Sequence, residues 1–140
     1  PLQETTSAAG LGRVGELASP MSLAALSKRL KSVLNLAAVK VVGQAHTQVK
    51  RVALCSGSGA SLAAAAMAAG AQVYISGDLG YHTARDAQQA HMALIDIGHF
   101  GSEHLIVDVL AASLRESIQT AGISATIEAC SMETDPFHYR

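Results

Sequence analysis

The chain has 140 residues, 49 % of them apolar and only 15 % charged, which suits one domain with a buried core and excludes a disordered chain. Its net charge of -1 argues against a nucleic-acid-binding surface, which carries a basic excess on one face. The short basic cluster of Lys28, Arg29 and Lys31 falls on a helical period and reads as the wet side of a helix.

In chain order, residues 1–18 mix small, polar and glycine residues without periodicity and are expected to be a linker or loop. Ser19-Pro20 is expected to open a helix, the serine as cap and the proline in the first turn. Leu23, Leu26, Leu30, Val33 and Leu34 then recur at helical spacing opposite the Lys/Arg face. The β-branched runs 39–42 and 51–55, separated by the polar turn 44–48, are expected to be neighbouring strands. Residues 56–59 (Ser-Gly-Ser-Gly) lead into an alanine-rich helix over 60–69, with Gly70 in the position after its end. Residues 72–76 read as a buried strand stopped by Gly77-Asp78, and Thr83 with Asp86 resembles a capping box for a helix to about Ala90. The apolar run 92–97 ends at Gly98. Helical spacing follows from Gly101 to Thr120, closed by Gly122, and the alternation of 123–130 predicts a final strand before the breaking sequence Asp135-Pro136-Phe137.

This order of elements predicts an α/β fold over residues 19–140, a mostly parallel sheet flanked by helices. Sites in open parallel sheets form beyond the carboxyl ends of the strands. Three such ends carry residues 55–59, 77–82 and 98–103, and nearly every chemically interesting side chain lies there. Cys55 and Cys130, at expected strand ends, read as reduced thiols of a cytoplasmic protein. No signal peptide is visible, and the longest small-apolar stretch, 62–69, is far short of the roughly 20 residues that cross a bilayer. A chain that opens on Pro1 is expected to be a processed product or a fragment.

Gly98-His99-Phe100-Gly101-Ser102-Glu103 is the strongest local signal. If a helix begins near His99, then His99 and Glu103 share one face, and an imidazole and a carboxylate so placed can bind zinc, manganese or magnesium. Alternatively Glu103 complements the helix N-terminus and His99 packs beneath it. His82 is a candidate general base, substrate donor or partner of a metal ligand; a structural histidine near a helix start fits equally. Asp78 could accept from loop amides, orient His82 or simply form the turn. The 56–59 loop lacks the third glycine of a dinucleotide fingerprint, Leu62 standing there, and no Gly-Lys-Ser/Thr follows, which leaves a weak anion-facing loop or a tight turn. Cys55 has no activating neighbour in sequence. His46, His91 and His104 have no motif context, and His138 is expected to face solvent.

Taken in order, five stretches resemble the NIF-three-like family, whose members are often named GTP cyclohydrolase I type 2 homologues. They are Gly10-Leu11-Gly12-Arg13-Val14-Gly15-Glu16-Leu17, residues 52–59, residues 70–78 with Tyr81-His82 and Asp86-Ala87, Ile97-Gly98-His99-Phe100-Gly101-Ser102-Glu103, and Thr134-Asp135-Pro136-Phe137. The resemblance implies one half of a two-lobed metal-binding fold, with two divalent ions (zinc, manganese, magnesium or iron) in the cleft between lobes. Of the implied ligands only His99 and Glu103 map onto this chain. An adjacent histidine pair and an aspartate would come from an amino-terminal half, and no His-His pair occurs here. Residues 1–18 would then be a linker or the end of an inserted segment. The implied activity is metal-dependent hydrolysis of a nucleotide-like substrate, with His82 handling protons and this half inactive alone. The alternative is a non-catalytic regulatory or scaffold protein that uses the metal site for sensing or assembly. A homo-oligomer in the cytoplasm is expected, with neither membrane nor nucleic acid as partner.

Overall fold

A computed structural model describes residues 3–6 and 9–138, and the side chains of residues 10–138. Two short strands, β1 (Gln3–Thr6) and β2 (Ala9–Leu11), pair antiparallel as a separate ribbon. The main sheet has five strands: β3 (Arg13–Ser22), β4 (Lys40–Val42), β5 (Gln48–Ser58), β6 (Val73–Gly77) and β7 (Ala93–Asp96), in the spatial order β3-β5-β6-β7-β4. The three central strands are parallel, and each edge strand is antiparallel to its neighbour. The expected α/β sheet is therefore present, with its parallel character confined to the centre.

Successive side chains of the central strands point to opposite faces, and this splits the core in two. Val73, Ile75 and Ile95 pack with Leu23, Leu26 and Val49 under helix α1 (Leu23–Val33). Tyr74 and Leu94 go to the other face, with Leu62, Ala66, Ala87 and Met92. That face is covered by a 3-10 turn (Ala60–Leu62), α2 (Ala63–Ala68) and α3 (Tyr81–Gln89). The alanines of α2 let it lie close to the sheet, and Gly70 (φ +69°) ends it in the left-handed region. After β7 come α4 (His99–Glu103) and α5 (Ile106–Thr120).

Several expectations need correction. The stretch 1–18 is not a loop where it is described; residues 1, 2, 7 and 8 lie outside the described residues. Residues 13–22 form an edge strand, with Val14 packed against one core cluster and Leu17 and Met21 against the other. A wet edge strand with interrupted pairing shows little periodicity, and its ladder with β5 shifts register between Glu16 and Met21. Pro20 falls in that gap, where a missing N–H costs no ladder bond. The cap of α1 is Ser22, which accepts from Ala25 N at 3.2 Å, rather than Ser19. β4 and β5 are not neighbours: Leu23 N and Ala24 N donate to Thr47 O and Ala45 O, so the connection between the strands is tied to α1 instead of closing a hairpin. Gly80, not Thr83, precedes α3. The helix expected from Gly101 begins at His99 and is interrupted at His104 and Leu105. Residues 123–130 form no ladder among the described residues; they run beside α5, where Arg115 Nε donates to Ile127 O at 2.9 Å. Alternation alone makes a strand only where a partner edge is in reach.

Only Ala111 of α5 is buried, while Leu105, Ile106, Val109 and Leu110 are each more than half exposed. No helix among the described residues is long and apolar enough to cross a membrane.

Candidate metal centre

The turns leaving β5, β6 and β7 meet backbone to backbone, which only glycine allows. A Cβ on Gly77 would lie 2.8 Å from Gly57 O and from both C and O of Gly98. Gly57 and Gly98 also sit at φ +64° and +76°, a conformation that side-chain-bearing residues rarely adopt. Hydroxyls stitch the turns together. Ser102 Oγ accepts from Gly57 N at 2.7 Å and donates to His99 O at 2.8 Å. Ser76 Oγ accepts from Gly59 N at 3.1 Å and donates to Gly57 O at 3.3 Å. Tyr74, fully buried, donates to Gly59 O at 2.7 Å, and its burial pushes the phenol pKa up to about 12.

On this platform α4 presents His99 and Glu103 one helical turn apart. His99 Nε2 lies 3.0 Å from Glu103 Oε2, and Nδ1 lies 2.8 Å from Asp78 Oδ2, on the turn after β6. All three side chains are about half exposed. The Asp78 carboxylate is aimed by its own backbone, held at φ +54°, which aspartate tolerates better than most residues. The loop amides on either side of this cluster are held by a buried carboxylate, Asp96, at the end of β7.

The hydrogen bond that Nδ1–H donates to Asp78, and then the charge of Glu103, raise the His99 pKa above its ordinary 6.5. A group whose folded-state pKa is raised stabilises the fold fully below its unfolded value and loses that contribution as pH rises through the folded one. The metal-free protein should therefore show a His99 ring titration by NMR with a midpoint above 6.5. Asp78→Asn should bring the midpoint down further than Glu103→Gln; the reverse order would contradict the geometry.

His99, Glu103 and Asp78 line a cavity of about 770 Å³, together with Lys40, Phe100 and the tail residues Asp135 to His138. Phe100 stacks on His104 at 4.5 Å, and His104 Nδ1 is 3.5 Å from Glu133 Oε2. The structure thus brings His99 and Glu103 together and leaves His82 on the first turn of α3, exposed, edge-on to Tyr81 at 5.8 Å and away from the cavity lining. His138, exposed, also lines the cavity. Cys55 is half-buried, and Cys130 is exposed rather than sealed at a strand end. Asp78 meets His99, not His82. Asp96 and Ser102 escaped notice, although an aspartate closing an apolar strand is a readable signal.

Comparison with known proteins gives this arrangement a family. The model of the Duf34/NIF3 family (NGG1p interacting factor 3) matches residues 1–136. The chain belongs to this family. It is 37 % identical over 134 residues to the GTP cyclohydrolase 1 type 2 homolog of Staphylococcus aureus (strain COL), covering 96 % of this chain and 36 % of that protein. The homolog of the same name from Streptococcus pneumoniae serotype 4 is 36 % identical over 142 residues, covering 99 % and 53 %. The crystal structure of a Bacillus cereus protein related to NIF3 superposes with a TM-score of 0.89 at 30 % identity, over 94 % of this chain and 36 % of that one. The chain thus spans between about a third and a half of the length of these Duf34/NIF3 relatives.

Proposed function

We propose that His99 and Glu103 form one edge of a divalent-metal site that the intact protein completes with donors from elsewhere, and that the site serves hydrolysis of a nucleotide-like substrate. One observation carries this reading: a single imidazole is held at one nitrogen by a carboxylate and faces a second carboxylate with the other. Asp78 on Nδ1 fixes the tautomer that leaves the Nε2 lone pair toward Glu103, as the carboxylate partners of metal-bound histidines do. An ion between Nε2 and Glu103 would take the place of the proton they share in its absence. The donor set fits such an ion in part. No group of three histidine, cysteine, aspartate or glutamate residues among those described is disposed to hold a metal, and two donors leave most positions to water or to other ligands.

A bound ion would lower the pKa of a coordinated water toward neutrality and so supply a nucleophile. The chain's own residues do the rest. Asp78 orients His99, and the tail and α4 wall the cavity; His82, exposed on α3 and outside the cavity lining, would handle protons only for a substrate that extends beyond the cavity to it. The names of the relatives, which liken them to a GTP cyclohydrolase, are the ground for a nucleotide-like substrate. A second reading, a scaffold that uses the site for assembly, draws on the exposed aliphatic side of α5. A homo-oligomer in the cytoplasm suits either.

The test is metal titration and GTP turnover with the full-length protein. Zinc or manganese should bind, and His99→Ala or Glu103→Ala should each weaken binding by more than about 100-fold, beyond the range for loss of an outer partner. Turnover lost in both variants supports the hydrolase, and binding without turnover supports the scaffold. A wild-type protein that takes up neither ion ends both readings.

A further inference from the structure

Asp96 closes β7 where the chain leaves the sheet, and it is 5 % exposed. A carboxylate so deeply placed in an apolar strand requires donors of its own. Three reach it, each from a different element. Gly98 N donates to Oδ1 at 2.9 Å, Leu79 N donates to Oδ2 at 3.2 Å, and Lys40 Nζ lies 2.7 Å from Oδ2. Lys40 stands directly opposite across the β4–β7 ladder.

The positions of those amides matter more than their number. Leu79 follows Asp78 and Gly98 precedes His99, so the imidazole and the carboxylate that orients it each sit one residue from an anchor on the same side chain. The 2.8 Å contact between His99 and Asp78 joins residues 21 apart in sequence. Their half-exposed side chains have little packing to hold that distance, whereas Asp96 ties both backbones beneath them.

We propose that Asp96 is a positioning residue of the candidate metal centre: it locks the turn after β6 to the start of α4, thereby setting His99 against Asp78, and Lys40 neutralises it from the edge strand. The inference rests on the metal-site reading above and adds a residue that borders the same cavity but acts through the two turns it ties rather than as a ligand.

The experiment compares Asp96→Ala, Asp96→Asn and a distant core variant, Leu26→Ala, in the full-length protein. Zinc affinity is measured by competition with a chromogenic chelator, and amide exchange at Leu79 and Gly98 is followed by NMR without metal. Asp96→Ala should speed exchange at both amides together and weaken zinc binding by about 10- to 100-fold, the usual range for an outer-sphere partner. Asp96→Asn keeps one acceptor oxygen and should fall between Asp96→Ala and wild type. Leu26→Ala should lower the melting temperature and leave zinc affinity unchanged. Should Asp96→Ala not fold, Asp96→Asn carries the test with the same two readouts. Wild-type zinc affinity in a folded Asp96 variant overturns this proposal alone, and a wild-type protein that takes up no zinc overturns the metal reading beneath it.

Discussion

Gly77→Ala is expected to destabilise the protein by about 2–4 kcal/mol, toward the upper end of what overpacking costs. The added methyl would sit 2.8 Å from backbone atoms of two other turns, Gly57 O on one side and Gly98 C and O on the other. No rotamer relieves such a clash, because none of the obstructing atoms belongs to a side chain. The sheet must open at the rim where β5, β6 and β7 end, and that movement strains the hydrogen bonds of Ser76 and Ser102 across the same gap. Urea denaturation should show a lower midpoint with an unchanged slope. A loss of less than about 0.5 kcal/mol, within the scatter of ordinary surface changes, would mean that the three turns are not in backbone contact.

Gly57→Ala should do the opposite: harm the site more than the fold. The left-handed backbone at φ +64° costs an alanine about 1–2 kcal/mol. Its methyl would collide with Glu103 Oε1, come within 3.0 Å of Glu103 Cδ and lie 3.4 Å from His99 Nε2. Here the obstacle is the tip of a flexible side chain, so Glu103 swings aside and the backbone stays in place. Stability should fall by about 1–2 kcal/mol, the strain alone. The midpoint of the His99 titration should drop part-way toward 6.5, because the charge of Glu103 has moved off while Asp78 remains. Zinc or manganese affinity of the full-length protein should fall by at least about 10-fold, as it does when ligand geometry is disturbed from outside. Unchanged affinity would show that Glu103 does not face the ion.

Elements buried on both faces were the legible part of this chain. The strands over 72–76 and 92–97 read as apolar runs because each of their faces meets a core, and the structure places Val73 to Gly77 and Ala93 to Asp96 there. The edge strand Arg13–Ser22 was not legible, since its many exposed residues and a broken ladder remove the alternation that marks a strand. For residues 123–130 the failure ran the other way, an alternation with no ladder among the described residues. Within the site, His99 and Glu103 were visible as a pair because their spacing is local to one helix. The partner of Asp78 was not, because a contact between residues 78 and 99 depends on how two parallel strands are juxtaposed. His82 was the nearer histidine in sequence and drew the assignment. Asp96 stood out as the one charge closing an apolar run, but its role depends on amides of two turns that only the folded sheet brings to it.

The bare flank of α5 bears on the ionic cluster in a way that distance disguises. Only two residues separate this helix from Glu103. Removing a half-wet Ile106, Val109 or Leu110 from water releases roughly 1 kcal/mol each, so a body seated along that flank grips the same stretch of chain that carries the ligands. If its seating shifts α4 at all, thermodynamic reciprocity requires that ion uptake strengthen the docking by the same factor that docking strengthens uptake.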